Sequence, residues 1–178
     1  MRAAAAKKLK DIKFVMLDVD GVLTDGSIII GSDATEYKSF SVKDGTGITL
    51  GRYAGLKFGI ISGRYSKVIE YRAAELKCEA VYQDVQEKIK AYDDFRKKSG
   101  YGDAEICFVG DEIIDVPVME KCGFSAAPAD AVKQAKDAAD YICGALGGKG
   151  AVREVVELIL NAQGLMQKAV NRYLRHEK

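Results

Sequence analysis

Short apolar runs recur along the chain at residues 14–17, 57–61, 80–82, 106–109, 123–126 and 141–143. Each is bounded by turn-forming or charged residues and reads as a buried strand. Between them lie mixed stretches predicted to be helical at about 43–53, 65–76, 85–98 and 129–138. A further helix ends near Lys121 with Pro117 close to its start, where proline is tolerated. An amphipathic helix begins near Ala151. Strands alternating with helices predict an α/β fold, Rossmann-like, with a mainly parallel sheet and helices on both faces. One segment departs from this rhythm. From Ser27 to Phe40, two β-prone runs flank Gly31-Ser32-Asp33, which predicts a projecting β-hairpin. Ile28, Ile29 and Ile30 would be awkward in water there, so burial, with another subunit as a candidate cover, is expected.

Composition narrows the picture. The 178 residues suffice for a single domain, 1–178, with a real core. The formal net charge of +1 gives no reason to expect a nucleic-acid partner. The opening stretch lacks a secretory apolar region, and no run of about 20 apolar residues spans a membrane. Cys78, Cys107, Cys122 and Cys143 form no CxxC pair, and Cys107 and Cys143, in apolar strand-like runs, read as buried reduced thiols, consistent with a cytoplasmic protein. The single histidine, His176, lies in a charged tail, so acid–base work falls to carboxylates or lysine.

The candidate chemistry starts at Phe14–Gly26, FVMLDVDGVLTDG. Asp18 and Asp20 follow the first strand directly. Such close like charges call for a proton or a cation between them. Hard carboxylate oxygens suit Mg²⁺. An acidic turn is the plainer reading of this stretch alone. An EF-hand loop fails, because Leu23 and Ile29 stand where it needs Gly and Glu. Asp18, Ser62 and Asp111 each lie just past a predicted strand. In parallel α/β sheets those ends converge on one ligand site. Asp18 can then attack phosphorus, with Asp20 as acid and base. Ser62 can hold a phosphate oxygen, and Lys88 can neutralise the transferring group. Mg²⁺ would rest on Asp18, Asp111 and the backbone carbonyl near Asp20. The glycine-rich 144–150, GALGGKG, is one residue short of a P-loop and lacks its Ser or Thr. It reads instead as a flexible loop over the site, with Lys149 or Arg153 near the substrate.

DVDGVLTDG, ISGR, Lys88 and GDEIID together resemble the motifs of the haloacid-dehalogenase-like phosphatases. EYKSFSVKDGTGI, Arg64, IDVPVME and GGKGAVREVVELILNAQG resemble, more narrowly, the 3-deoxy-D-manno-octulosonate 8-phosphate phosphatase family. That resemblance implies a Mg²⁺-dependent enzyme of lipopolysaccharide inner-core synthesis, without a cap domain, assembled as a homotetramer through its hairpins. It implies Asp18 as nucleophile and metal ligand, Asp20 as acid/base with a metal-binding carbonyl, and Asp111 as the remaining ligand. It sets Gly63, Arg64 and Arg72 at the substrate, the arginines toward the sugar-acid carboxylate. Asp115 becomes a second-shell group, against the alternative of an exposed helix-start carboxylate. Glu112 departs from the family, which usually has Asp there, and is expected in the second shell with an effect on metal affinity. The tail after Gly164 has no clear match; it is expected to extend the last helix or reach a neighbour's site. Two other readings remain, a phosphatase for a nine-carbon sugar-acid 9-phosphate and a non-catalytic tetramerisation module. Arg64 opposes the first, and the complete aspartate, serine and lysine set opposes the second.

Overall fold

The computed structural model describes residues 7–175; His176 lies outside them. Six parallel strands form one sheet in the order β5-β4-β1-β6-β7-β8. They are β1 (Phe14–Leu17), β4 (Lys57–Ile61), β5 (Ala80–Tyr82), β6 (Ile106–Val109), β7 (Phe124–Ala127) and β8 (Tyr141–Ile142). A separate antiparallel pair, β2 (Ile29–Ile30) and β3 (Glu36–Tyr37), makes the hairpin. The helices are α1 (Val42–Ala54), α2 (Lys67–Leu76), α3 (Lys88–Ser99), α4 (Val116–Met119), α5 (Lys133–Ala138), α6 (Ala151–Ala162) and α7 (Met166–Leu174).

The alternation of side chains along β1 divides the core into two layers. Val15 and Leu17 pack into one layer with Ile48 of α1 and Val152, Val155 and Ile159 of α6. Phe14 and Met16 pack into the other with Tyr92 and Phe95 of α3 and Val118 and Met119 of α4. With both faces covered, β1 and β6 are apolar at every position, as their sequences require.

Three segments differ from the sequence expectation. The stretch after β6 is a 3-10 turn, Ile113–Asp115, leading into the one-turn α4, because Asp115 turns inward and Pro117 starts the helix. The last helix does not run on. Gly164 takes a left-handed φ of 69°, and α7 folds back against α1. There Arg172 Nη1 donates to the Tyr53 carbonyl at 2.8 Å, and the Tyr53 and Tyr173 rings meet edge to face. The described part of the tail therefore docks on its own chain.

The glycine-rich 144–150 is tied down rather than free. Gly144 and Ala145 donate to Glu154, Gly147 to Asp130, Gly148 to the Val22 carbonyl and Gly150 to Asp44. Buried Asp44 also accepts from Arg153 N at 2.9 Å, so a carboxylate of α1 caps the N-terminus of α6. Burial raises the Asp44 pKa against the pull of these amides. Among the described residues, no helix is long and apolar enough to cross a membrane.

Candidate active site

The carboxyl ends of β1, β4 and β6 lie side by side because β1 is central, with β4 and β6 as its neighbours. Asp18 leaves β1, Ser62 leaves β4, and Gly110-Asp111 leaves β6. The Asp18 amide donates to the Val109 carbonyl at 3.0 Å, joining the β1 and β6 ends. Lys88 is the first residue of α3 and sends its side chain, 1% exposed, into this crevice. Its ammonium lies 2.8 Å from Asp18 Oδ1 and 2.6 Å from Asp115 Oδ1. Burial opposes that positive charge, but Asp18 and Asp115 together outweigh it and hold the lysine pKa above its ordinary value.

Asp115 is fully buried, so the exposed helix-start alternative is excluded. Its Oδ2 accepts from the amides of Asp111 at 3.0 Å and Glu112 at 3.1 Å. Both oxygens of Asp115 are engaged, Oδ1 with Lys88 and Oδ2 with two amides. It braces the loop that carries Asp111.

Asp18, Asp111 and Asp115 bring carboxylate oxygens within 4.8 Å of one another. Asp111 Oδ1 is buried and has no hydrogen-bond partner. Burial pushes the Asp18 pKa up to about 6, with Lys88 opposing and Asp115 adding to the rise. Burial, then repulsion from Asp18 and Asp115, pushes Asp111 up to about 8. These two carboxylates resist being ionised together without a cation. An unpartnered buried oxygen beside a second carboxylate fits a divalent cation, and the all-oxygen donor set suits Mg²⁺. Gly21, with φ of 92°, is what lets the first turn press on this loop. A Cβ there would stand 2.0 Å from Asp111 Oδ2.

Asp20 stands at the edge of the cluster. Its Oδ1 accepts from Lys38 Nζ at 2.5 Å and from Thr24 Oγ1 at 3.4 Å. Ser62 is buried; its amide donates to the Tyr82 carbonyl, and its hydroxyl accepts from Arg64 N at 3.3 Å. Gly63 is half-buried beside it. Arg64 is largely exposed, with its guanidinium 3.4 Å from Glu36.

Two candidates sit apart from the cluster. Arg72 contacts α1 and the hairpin exit, with Nη2 on the Ser41 carbonyl at 3.4 Å, the guanidinium over the Phe40 ring, and Nη1 on Glu75. Glu112 is exposed, and its carboxylate accepts from Ile113 N, so it caps the 3-10 turn instead of joining the second shell. Only its backbone amide reaches Asp115. Near the hairpin exit a cavity of about 440 Å³ is lined by Ser39–Lys43, Gly148 and Lys149. Arg153 is held by Glu157 on its own helix.

Sequence reasoning missed Lys38 and Asp44. Lys38 carried a signal: Glu36 and Lys38 share one face of the hairpin strand, with Tyr37 between them exposed outward. The charged face points inward, the reverse of an ordinary surface strand. Asp44 has no comparable signal, since its partners lie more than 100 residues away.

Residues 58–153 match the family of haloacid dehalogenase-like hydrolases. The chain is 43% identical over 162 residues to the 3-deoxy-D-manno-octulosonate 8-phosphate phosphatase of Escherichia coli K12, covering 91% of this chain and 86% of that protein. It is 40% identical over 158 residues to the phosphatase of the same name from Haemophilus influenzae, covering 89% and 88%. A Moraxella catarrhalis phosphatase of that name, crystallised with magnesium, phosphate and KDO, superposes with a TM-score of 0.94. That pair is 35% identical, covering 97% of this chain and 99% of that one.

The raised carboxylates yield a pH-dependent prediction. Unfolded, Asp18 and Asp111 ionise near pH 4; folded and metal-free, they keep protons to about pH 6 and pH 8. Above pH 4 the folded state binds more protons than the unfolded one, so these groups lower metal-free stability as pH rises. Mg²⁺ replaces those protons, so its stabilisation should grow over the same range. In thermal unfolding, 5 mM Mg²⁺ (about that concentration suffices for a weak site) should raise Tm more at pH 8 than at pH 6. An equal rise at both would show that no proton is displaced.

Proposed function

Because the chain belongs to the 3-deoxy-D-manno-octulosonate 8-phosphate phosphatase family of haloacid dehalogenase-like hydrolases, we propose that it hydrolyses that sugar-acid phosphate to the free sugar acid and phosphate. The reaction belongs to lipopolysaccharide inner-core synthesis. The observation that carries this reading is buried Lys88, which joins Asp18 and Asp115 beside the unpartnered Asp111 Oδ1.

Lys88 bonds to Asp18 Oδ1, whose other lone pair would serve Mg²⁺, and Oδ2 is left to attack phosphorus. The attack forms an aspartyl phosphate and breaks the bond to the sugar oxygen. Asp20 gives that oxygen a proton, then takes one from the water that hydrolyses the acyl phosphate. Lys88 stays positive beside the phosphoryl oxygens, where burial strengthens its field. Ser62 holds another phosphoryl oxygen. Asp18, Asp111 and the Asp20 carbonyl would hold Mg²⁺, which would supply the positive charge that lets carboxylate and phosphate approach. Asp115 keeps Lys88 and the Asp111 loop in register through its bonds to the ammonium and the two loop amides. Gly63 permits close approach of substrate to the β4 end. Arg64 and Arg72 pair with the sugar-acid carboxylate, a role supported by the bidentate geometry of the guanidinium. For Arg72 the support is its place at the hairpin exit, near the cleft formed by Ser39–Lys43.

Residues 1–178 act in this proposal as one catalytic domain, supported by the single six-stranded sheet. A cytoplasmic setting is supported by four unpaired cysteines. Homotetramer formation through the hairpin is supported by Ile28, Ile29, Ile30 and Tyr37, all about half exposed or more on one small ribbon.

Phosphate release with Mg²⁺ should favour 3-deoxy-D-manno-octulosonate 8-phosphate over the nine-carbon sugar-acid 9-phosphate and over simple sugar phosphates by at least about tenfold in kcat/KM, the net worth of about one hydrogen bond. Preference for the nine-carbon acid would reassign the substrate, and no release from any of them would remove the enzymatic reading. Replacing Ile29 and Ile30 with Asp should yield monomers in sedimentation velocity, since charge on the ribbon opposes its burial. A persisting tetramer would place the interface elsewhere.

A further inference from the structure

Lys38 lies one residue beyond β3, and its side chain is 0% exposed. A buried ammonium is expensive unless paired. Its partners are Asp20 Oδ1 at 2.5 Å and Glu36 Oε1 at 3.5 Å. Glu36 is held in turn by Arg64 at 3.4 Å. Asp20, with 21% of its side chain exposed, is the only member of the pair that reaches solvent. Lys38 and Thr24 both bond to Oδ1 of Asp20, and Oδ2 has no hydrogen-bond partner among the described residues. The hairpin thus reaches back into its own chain's crevice and grips one oxygen of the aspartate while leaving the other open.

We propose that Lys38 is a positioning residue for the phosphatase reaction: it fixes Asp20 through Oδ1, so that Oδ2 is the oxygen that exchanges the proton with the leaving group. This rests on the reading of Asp20 as acid and base. In this role Lys38 acts through Asp20, the carboxylate it holds. Its effect therefore falls on the step in which the sugar oxygen gains a proton, and not on phosphate binding.

Leaving groups of different basicity separate this role from a general structural one. An alkoxide needs a proton as it departs, whereas p-nitrophenolate does not. The parameter kcat/KM covers only steps up to release of the alcohol, so it excludes the later hydrolysis of the phosphoenzyme. Lys38→Met should lower kcat/KM for 3-deoxy-D-manno-octulosonate 8-phosphate by about a hundredfold, the lower end of the range for general acid catalysis. For p-nitrophenyl phosphate kcat/KM should stay within about twofold, because that step needs no proton. An equal loss on both substrates, or no loss on either, overturns the proposal. If the methionine variant does not fold, Lys38→Gln carries the same comparison with the same expected and overturning results. Asp20→Asn distinguishes the two failures. Full activity in that variant toward the sugar phosphate would remove Asp20 as acid, and with it the mechanism proposed above. A large loss in Asp20→Asn beside an unaffected Lys38 variant would remove only the role of Lys38.

Discussion

A lysine withdrawn from water between two aspartates is the constraint on which the crevice depends. Placing Lys88 there costs several kcal/mol in desolvation, which only well-made ion pairs offset. Asp18 and Asp115 provide them at 2.8 and 2.6 Å. The pairs in turn fix three elements. Asp18 follows β1, Asp115 follows the β6 loop, and Lys88 opens α3, so one charged cluster pins the helix to two strand ends. Asp115 extends the lock through its second oxygen, which accepts the Asp111 and Glu112 amides. What remains is Asp111, with a buried oxygen that no protein group satisfies. The cluster is therefore complete except at the point where a cation fits.

The surrounding architecture serves the same geometry. Both faces of the sheet are covered, which leaves the carboxyl ends of β1, β4 and β6 as the natural opening. The first turn packs against two loops that hold it rigid. Gly21 lies close enough to Asp111 to exclude any side chain, and Gly147 and Gly148 press on the Gly21 carbonyl and on Thr24. Asp44 fixes the end of the glycine-rich loop from across the molecule. The hairpin adds Lys38 to one side of the crevice while presenting isoleucines outward. If those isoleucines pack against other copies, assembly and the placement of Asp20 share a single small ribbon.

Much of this was legible in the chain. The apolar runs located all six strands of the sheet; β1, β6 and β7 are buried at every position, as strands covered on both faces must be, whereas the edge strands β5 and β8 are apolar but only partly buried. The positions of Asp18, Ser62 and Asp111 just past three of them foretold a shared crevice. Asp115 was less legible, because a carboxylate at a helix start is as common on the surface as in a core. Glu112 misled for the opposite reason: its place in GDEIID implied the cluster, but its longer side chain bends to the next amide and leaves. The backfolded α7 depended on packing against α1, which local periodicity does not record. Lys38 and Asp44 act through contacts set by the tertiary fold.

The central claim is that Asp18, oriented by Lys88, takes the phosphoryl group. Trapping the phosphoenzyme tests it most directly. The enzyme, turning over the sugar phosphate with Mg²⁺, is quenched and reduced with borohydride, which converts an aspartyl phosphate to homoserine. Peptide mass spectrometry should then find homoserine at position 18 in the sample given substrate and unmodified Asp18 in the sample without it. Turnover with Asp18 unmodified in both, or with homoserine at another position, would contradict the account.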